Sequence, residues 1–325
     1  MVREGKHPLL AVEELSVQFL TDRGVVRALE KVNLSVGEGE VVGLIGESGS
    51  GKTTTVRSVL RILPPSAEIT EGSVHFMGRD LLTMSEKELN AKVRGRAITL
   101  VPQDPFNSMN PVFTVGTQIR DILKWKGGVD PEDKDTERIT DVLREVQIPS
   151  PLSQLRKYPH QFSGGQRQRL MISMALLPHP GLVIADEPTT ALDVTVEAQI
   201  LRLFRGLVEE RGISVLFITH DLGVASQICT RIVVMYAGQD MEDAPAERIF
   251  VLPGHPYTRE LLESLPRPDG NIRDIPGEVP SLLHPPSGCR FHPRCSMAEP
   301  RCARERPPKV EIHAGHWVRC FRPLE

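Results

Sequence analysis

An α/β fold, a mostly parallel sheet covered by helices on both faces, is what this sequence predicts, and three observations predict it. Three short apolar runs each deliver polar or charged residues at their carboxyl ends, where open α/β sheets place ligands. They are "VVGLIGESGSGKTTTVR" at 41–57, "GLVIADEP" at 181–188 and "ISVLFITHD" at 213–221. Between the first two, the composition shifts through a charged stretch and a Pro/Asn-rich loop into helical spacing, as an inserted helical lobe requires. After residue 250 the chain turns Pro-rich and carries four of its five cysteines, which marks a second, smaller region over 251–325.

A chain of 325 residues has room for one large domain and a smaller one. Its 39 basic and 42 acidic side chains give a net charge of −3. That leaves no global field for a polyanion, and no local basic patch stands out, so nucleic acid is not an expected partner. The opening "MVREGKHPLLAVEEL" lacks the apolar run of a signal peptide, and no stretch approaches the roughly 18 apolar residues of a membrane span. The expected location is the cytosol, with docking on a membrane protein left open. A reducing cytosol shifts clustered cysteines away from disulfides and toward metal or iron–sulfur ligation.

The elements follow in order. Residues 41–45 read as a buried strand, and residues 46–53 match G-x-x-x-x-G-K-T ahead of a helix-compatible segment. The glycines let backbone amides face phosphate oxygens, and the helix starting near Lys52 adds its positive end. Lys52 suits the β- and γ-phosphates, and the Thr53 hydroxyl suits Mg²⁺. A Gly/Ser-rich turn is the competing reading. The stretch that opens "LTMSEKELNAKVRGR" is charged and helix-like, residues 97–101 form a strand, and "TVGTQIRDILKW" places Val115, Ile119, Ile122 and Leu123 on one helical stripe. "GGVDPEDKDTER" reads as a loop and "ITDVLREVQI" as another helix. Ser163, Gly164, Gly165 and Gln166 open a long helix that Pro178 stops, and their N-terminal position makes either an anion site or a simple cap. The lobe therefore spans about 90–178.

Residues 182–185 form the next strand, which delivers Asp186 and Glu187. Asp186 suits a metal shell and Glu187 the orientation of an attacking water; an acidic turn is the plainer account. His220, just past the third strand, suits contact with a γ-phosphate, against a role as a strand-end cap. A phosphate loop, an acid pair and a histidine on successive strand ends describe a nucleotide triphosphatase core.

These motifs resemble those of ATP-binding subunits of ABC transporters. Gly46 to Thr53 match the Walker A loop, Gln103 the Q-loop, "FSGGQ" at 162–166 the signature, residues 183–187 Walker B, Ala191, Leu192 and Asp193 the D-loop, and His220 the switch histidine. Phe162 stands where the family signature usually has Leu. The resemblance covers about residues 10–250. It implies a RecA-like P-loop core with an antiparallel β-subdomain and an inserted helical subdomain. It also implies ATP on Gly46, Glu47, Ser48, Gly49, Ser50, Gly51, Lys52, Thr53 and Thr54, with Mg²⁺ at Thr53, Gln103 and Asp186. Glu187, His220 and Gln103 would be catalytic, and Phe19 would stack on adenine, against a core aromatic as the plainer reading. Because such domains face head to tail, Ser163, Gly164, Gly165 and Gln166 would serve the ATP of a second, non-identical ABC ATPase. The loop after Gln103 would receive the coupling helix of a permease.

The tail, with "GHPYTRELLESLP" and "IPGEVPSLLHPPSGCRFHPRC", resembles the C-terminal region of dipeptide, oligopeptide and nickel importer ATPases. That resemblance implies a peripheral subunit at the cytoplasmic face of the membrane, with two permease subunits, an extracytoplasmic substrate-binding protein, and dipeptides or oligopeptides as cargo. Nickel and oligosaccharides are alternatives within the family. A soluble ABC ATPase acting on nucleic acid or ribosomes is the reading from another class, and a nucleotide-binding protein without hydrolysis is contradicted by Lys52, Asp186, Glu187 and His220. Cys289, Cys295, Cys302 and Cys320 admit single buried thiols, zinc or a [4Fe-4S] cluster. Their spacing selects none of these, and the resemblance implies the cluster.

Overall fold

The computed structural model describes residues 7–127, 134–190, 192–265 and 274–324. The chain forms two compact units, Met1–Thr83 with Phe217–Glu325, and Met84–Leu216. The first begins with β1 (Leu10–Thr21), β2 (Gly24–Val36), β3 (Val41–Ile45), α1 (Lys52–Val59), β4 (Ala67–Phe76) and β5 (Arg79–Asp80). Strands β2, β1, β4 and β5 make a four-stranded antiparallel sheet in that order. Leu10, Val12, Leu15 and Val17 of β1 are all buried although their spacing is not strictly alternate. Register shifts between Val12 and Leu15, and again before Val17, absorb the mismatch, with Glu14 at φ 47° inside the bulge. All five residues of β3 are buried, as a parallel strand covered on both faces requires.

The second unit contains α2 (Glu86–Lys92), β6 (Ile98–Val101), α3 (Val115–Ile122) running into a π turn at Leu123–Gly127, α4 (Lys134–Glu145), α5 (Pro151–Gln154), α6 (Gly164–Leu176), β7 (Leu182–Asp186) and α7 (Val194–Arg211). Strands β6 and β7 pair in parallel from Ile98↔Leu182 to Val101↔Ala185. The stripe expected on α3 packs inward at Val115, Ile119 and Leu123, joined by Ile139, Val142 and Leu143 of α4. Buried Arg169 of α6 donates to the Val146 carbonyl at 2.8 Å, to Gln147 Oε1 at 3.0 Å and to Gln199 Oε1 at 2.8 Å, which ties α6 to α7 and to the turn after α4. Gly212 closes α7 in the left-handed conformation at φ 65°.

Strand β8 (Ser214–Thr219) carries the chain back to the first unit, followed by α8 (Leu222–Ile228), β9 (Arg231–Tyr236), β10 (Gln239–Pro245), α9 (Ala246–Val251) and α10 (Pro256–Glu263). Short 3₁₀ turns at His292–Arg294 and Pro300–Ala303 lead to β11 (Lys309–His313) and β12 (His316–Arg319). Within this unit the strands run β11-β12-β10-β9-β3, with β3 and β9 parallel and the others antiparallel. The tail thus adds two strands to the sheet that carries the phosphate loop. It is fastened by polar groups as well: His316 Nε2 lies 2.6 Å from Glu242 Oε1 with both side chains fully buried, and Arg319 pairs with Asp240 at 3.2 Å. Tyr236, Tyr257 and Phe291, all 0% exposed, form an aromatic cluster with ring centroids 4.6–5.2 Å apart. Among the described residues no helix is long and apolar enough to cross a membrane.

Candidate functional site

The first unit carries the phosphate loop. The end of β3 turns into the loop over residues 46–51, and α1 starts at Lys52 with Gly51 as its cap at φ 106°. Glycine is required at both ends of the loop: a Cβ on Gly51 would lie 2.7 Å from Leu29 Cδ2, and one on Gly46 only 2.1 Å from the Met235 carbonyl oxygen. The Lys52 ammonium donates to the carbonyls of Gly46 at 2.7 Å and Glu47 at 3.0 Å, and to Ser50 Oγ at 3.4 Å. A cation seated in a ring of backbone oxygens can exchange those partners for phosphate oxygens. Ser50 and Lys52 are buried, while Ser48, Gly49 and Thr53 are exposed and Glu47 and Thr54 are half-buried. His220 follows β8 on the surface, and Phe19 of β1 is half-buried between Val26 and Ala67. That partial exposure suits a stacking face better than a core position.

The second unit carries the acid pair. Strand β7 carries Asp186 at its end and Glu187 just beyond, both half-buried. Glu187 sits at φ 48°, in the left-handed region that residues with a Cβ seldom occupy, which turns its carboxylate away from the strand direction. One oxygen, Oε2, accepts from Gln103 Nε2 at 3.0 Å and from Thr190 Oγ1 at 3.1 Å. The Gln103 loop is shaped by Asp104, whose Oδ1 accepts the amides of Phe106 at 2.7 Å and Asn107 at 3.2 Å, and these bonds hold its carboxyl below the usual range. Beyond lie exposed Phe106, Val112 and Phe113.

Ser163, Gly164, Gly165 and Gln166 form a complete capping box at the start of α6. Ser163 Oγ accepts the Gln166 amide at 3.4 Å and Gln166 Oε1 accepts the Ser163 amide at 3.1 Å. Gly165 is where α6 meets α7, since a Cβ there would stand 2.6 Å from Val196 Cγ1. Of the D-loop residues, Asp193 caps α7 through the Val196 amide at 2.9 Å, Leu192 is half-buried, and Ala191 lies outside the described residues.

The cysteine cluster requires a correction. Cys289, Cys295, Cys302 and Cys320 are free thiols, and among the described residues no group of three or more His, Cys, Asp or Glu could hold a metal ion. The expected [4Fe-4S] cluster and its zinc alternative therefore do not stand. Burial pushes the Cys289 thiol up to about 12 and raises Cys295 and Cys320, so each favours the neutral thiol over the thiolate that a metal needs. The Pro-rich tail does not depend on a metal for its packing. It shares the core of the first unit through Phe291, Tyr257 and β12.

Two contacts escaped sequence reasoning. Arg294 and Tyr257, both from the C-terminal region, reach Glu47 of the phosphate loop. No local pattern signals them, because they lie more than 200 positions away along the chain.

Comparisons with known proteins bear on the family and the fold. Residues 29–190 match the ABC transporter family model, and residues 241–302 match the oligopeptide/dipeptide transporter C-terminal region. The chain is 47% identical over 322 residues to a probable peptide ABC transporter ATP-binding protein of Sinorhizobium fredii, covering 98% of this chain and 96% of the relative. It is 45% identical to the oligopeptide transport ATP-binding protein of Haemophilus influenzae, with 98% of each covered. Among solved structures it is similar, at TM-score 0.65 and 28% identity, to a dimeric ATP-binding cassette in a post-hydrolysis state bound to ADP and Pi, covering 73% of this chain and 98% of that one. A second similar structure, at TM-score 0.65 and 26% identity, is part of an ABC transporter complex from Clostridium perfringens and covers 76% of this chain and 92% of that one.

Proposed function

Because the chain belongs to the ATP-binding subunits of peptide and oligopeptide ABC importers and is an ATPase of the ABC type, we propose the following division of labour among its residues. The observation that carries it is the Lys52 ammonium seated among the carbonyls of its own loop, a preformed place for phosphate oxygens. Gly46, Glu47, Ser48, Gly49, Ser50, Gly51, Lys52, Thr53 and Thr54 hold the triphosphate by amides, hydroxyls and one cation. Phe19 stacks on the base from β1. Mg²⁺ supplies neutralisation of the phosphate charge when bound, and the Thr53 hydroxyl, the Gln103 amide oxygen and the Asp186 carboxylate are the hard oxygen donors that suit it.

Glu187 orients the attacking water by accepting its hydrogen bond, with Gln103 and Thr190 fixing the direction of the carboxylate. His220 donates to the γ-phosphate and responds to its loss. Ser163, Gly164, Gly165 and Gln166 present the start of α6 to ATP held by a second, non-identical ATPase. Two permease subunits and an extracytoplasmic binding protein complete the importer, with this subunit peripheral at the cytoplasmic face. Exposed Phe106, Val112 and Phe113 beside Gln103 offer the apolar contact that a permease helix requires. The names of the relatives favour dipeptides or oligopeptides as cargo over nickel or oligosaccharides.

The test is Glu187→Gln in the assembled importer. It keeps the shape and the Gln103 contact while removing the carboxylate, so ATP binding persists and turnover falls by orders of magnitude. Equal turnover for the variant and the unchanged protein rejects the assignment.

A further inference from the structure

Glu47 occupies a place where a carboxylate is unwelcome, in the loop proposed to receive a triphosphate of like charge. The fold answers with a single guanidinium from the C-terminal region. Arg294 Nη1 lies 2.8 Å from Glu47 Oε2 and Nη2 lies 3.3 Å from Oε1, a two-pronged ion pair whose arginine side chain is only 4% exposed. The other donors are committed as well: Nε to the Pro276 carbonyl at 2.8 Å, Nη2 to that of Ile275 at 3.2 Å, and Nη1 to Tyr236 Oη at 3.3 Å. Arg294 ends a 3₁₀ turn that is anchored by Phe291, whose ring meets Tyr236 edge-on at 5.1 Å. Tyr257 Oη accepts the Glu47 amide at 3.1 Å. The carbonyl of the same residue receives the Lys52 ammonium at 3.0 Å. Glu47 is thus the shared point between the tail and the cation that would meet the phosphates.

We propose that Arg294 is a positioning residue for ATP binding: through Glu47 it fixes the phosphate loop around Lys52 and neutralises a carboxylate that would otherwise repel the triphosphate. The proposal rests on the reading that residues 46–54 hold the phosphates of ATP. Loss of the guanidinium leaves a half-buried carboxylate unpaired beside an anion, so the defect is one of affinity and not of the chemical step.

The experiment titrates the full-length chain with fluorescent mant-ATP and measures steady-state ATPase in the assembled importer. Arg294→Met weakens mant-ATP binding roughly tenfold and raises KM for ATP by a similar factor, with kcat within about twofold. Arg294→Lys, which keeps the charge and loses the fork, recovers part of the affinity. Adding Glu47→Gln to Arg294→Met removes the repelling carboxylate and restores binding to within about threefold of the unchanged chain, a non-additive result that a merely structural role does not give. Arg319→Met, which breaks another ion pair of the same tail with Asp240, lowers the melting temperature without weakening mant-ATP binding more than about twofold. Lys52→Ala separates the two readings. If it binds mant-ATP as the unchanged chain does, the phosphate-loop assignment fails. If it loses binding while Arg294→Met retains it, or if Arg294→Met and Arg319→Met weaken binding equally, the positioning role is overturned.

Discussion

His255 shows how burial sets a pH limit on a single residue. It is fully enclosed, its Nδ1 accepts the Tyr257 amide at 3.0 Å, and burial lowers its pKa to about 4 despite the nearby Glu242 carboxylate. The folded chain therefore keeps this ring neutral where the unfolded chain binds a proton. Stability from this group is complete above pH 6.5 and is lost as pH falls from 6.5 toward 4, by about 3 kcal/mol in all. Urea unfolding of the unchanged chain and of His255→Asn across that range should give a shallower pH slope for the variant. A second residue-level expectation concerns Gly51: Gly51→Ala meets Leu29 and a φ of 106°, and should cost about 1–3 kcal/mol by denaturant unfolding while weakening nucleotide binding. At this scale the sequence was most informative where chemistry is local. The strand, turn and helix around Lys52 and the strand end that carries Asp186 and Glu187 were legible because these elements follow one another within a short stretch of chain. The left-handed Glu187 and the partners of Glu47 were not, since neither a backbone strain nor a contact 247 positions away leaves a local pattern.

At the scale of elements, α6 is fixed at its start by two devices, the capping box and the close approach to α7. Ser163→Ala removes one half of the box and should lower unfolding stability by about 1 kcal/mol, measured by urea unfolding. Gly165→Ala places a methyl group 2.6 Å from Val196 Cγ1 and should be worse, about 1–3 kcal/mol, with Val196→Ala restoring most of the loss in the double variant. Helix α3 lies where periodicity put it and α6 ends just before Pro178 as expected, whereas α4 starts at Lys134, inside the stretch expected to be a loop, and α7 was not read from the sequence. Strands β11 and β12 were not readable. Their nine residues are flanked by Pro and Arg, with two buried polar side chains, His316 and Arg319, where an apolar alternation would be sought. His316 and Arg319 face inward because Glu242 and Asp240 are already there to receive them, a fact about the partner strand and not about the segment.

For the whole molecule, the second unit is one continuous stretch whereas the first is assembled from both ends of the chain. A chain ending at residue 307 loses β11 and β12, leaves one edge of β10 unpaired and strips the buried Glu242 of its histidine. It should melt at a lower temperature and aggregate on size-exclusion chromatography, while a full-length chain carrying His316→Ala should lose about 1–3 kcal/mol and stay monodisperse. The same arrangement has a consequence for biosynthesis. Arg294 is translated 247 positions after Glu47, which at about 5–20 residues per second is a delay of roughly 12–50 s. During that interval the nascent chain carries the phosphate loop without its guanidinium, and any product of premature termination before residue 294 never acquires it. On the proposed role of Arg294, a chain that stops before residue 294 binds ATP more weakly and is at a disadvantage against finished subunits in competition for nucleotide.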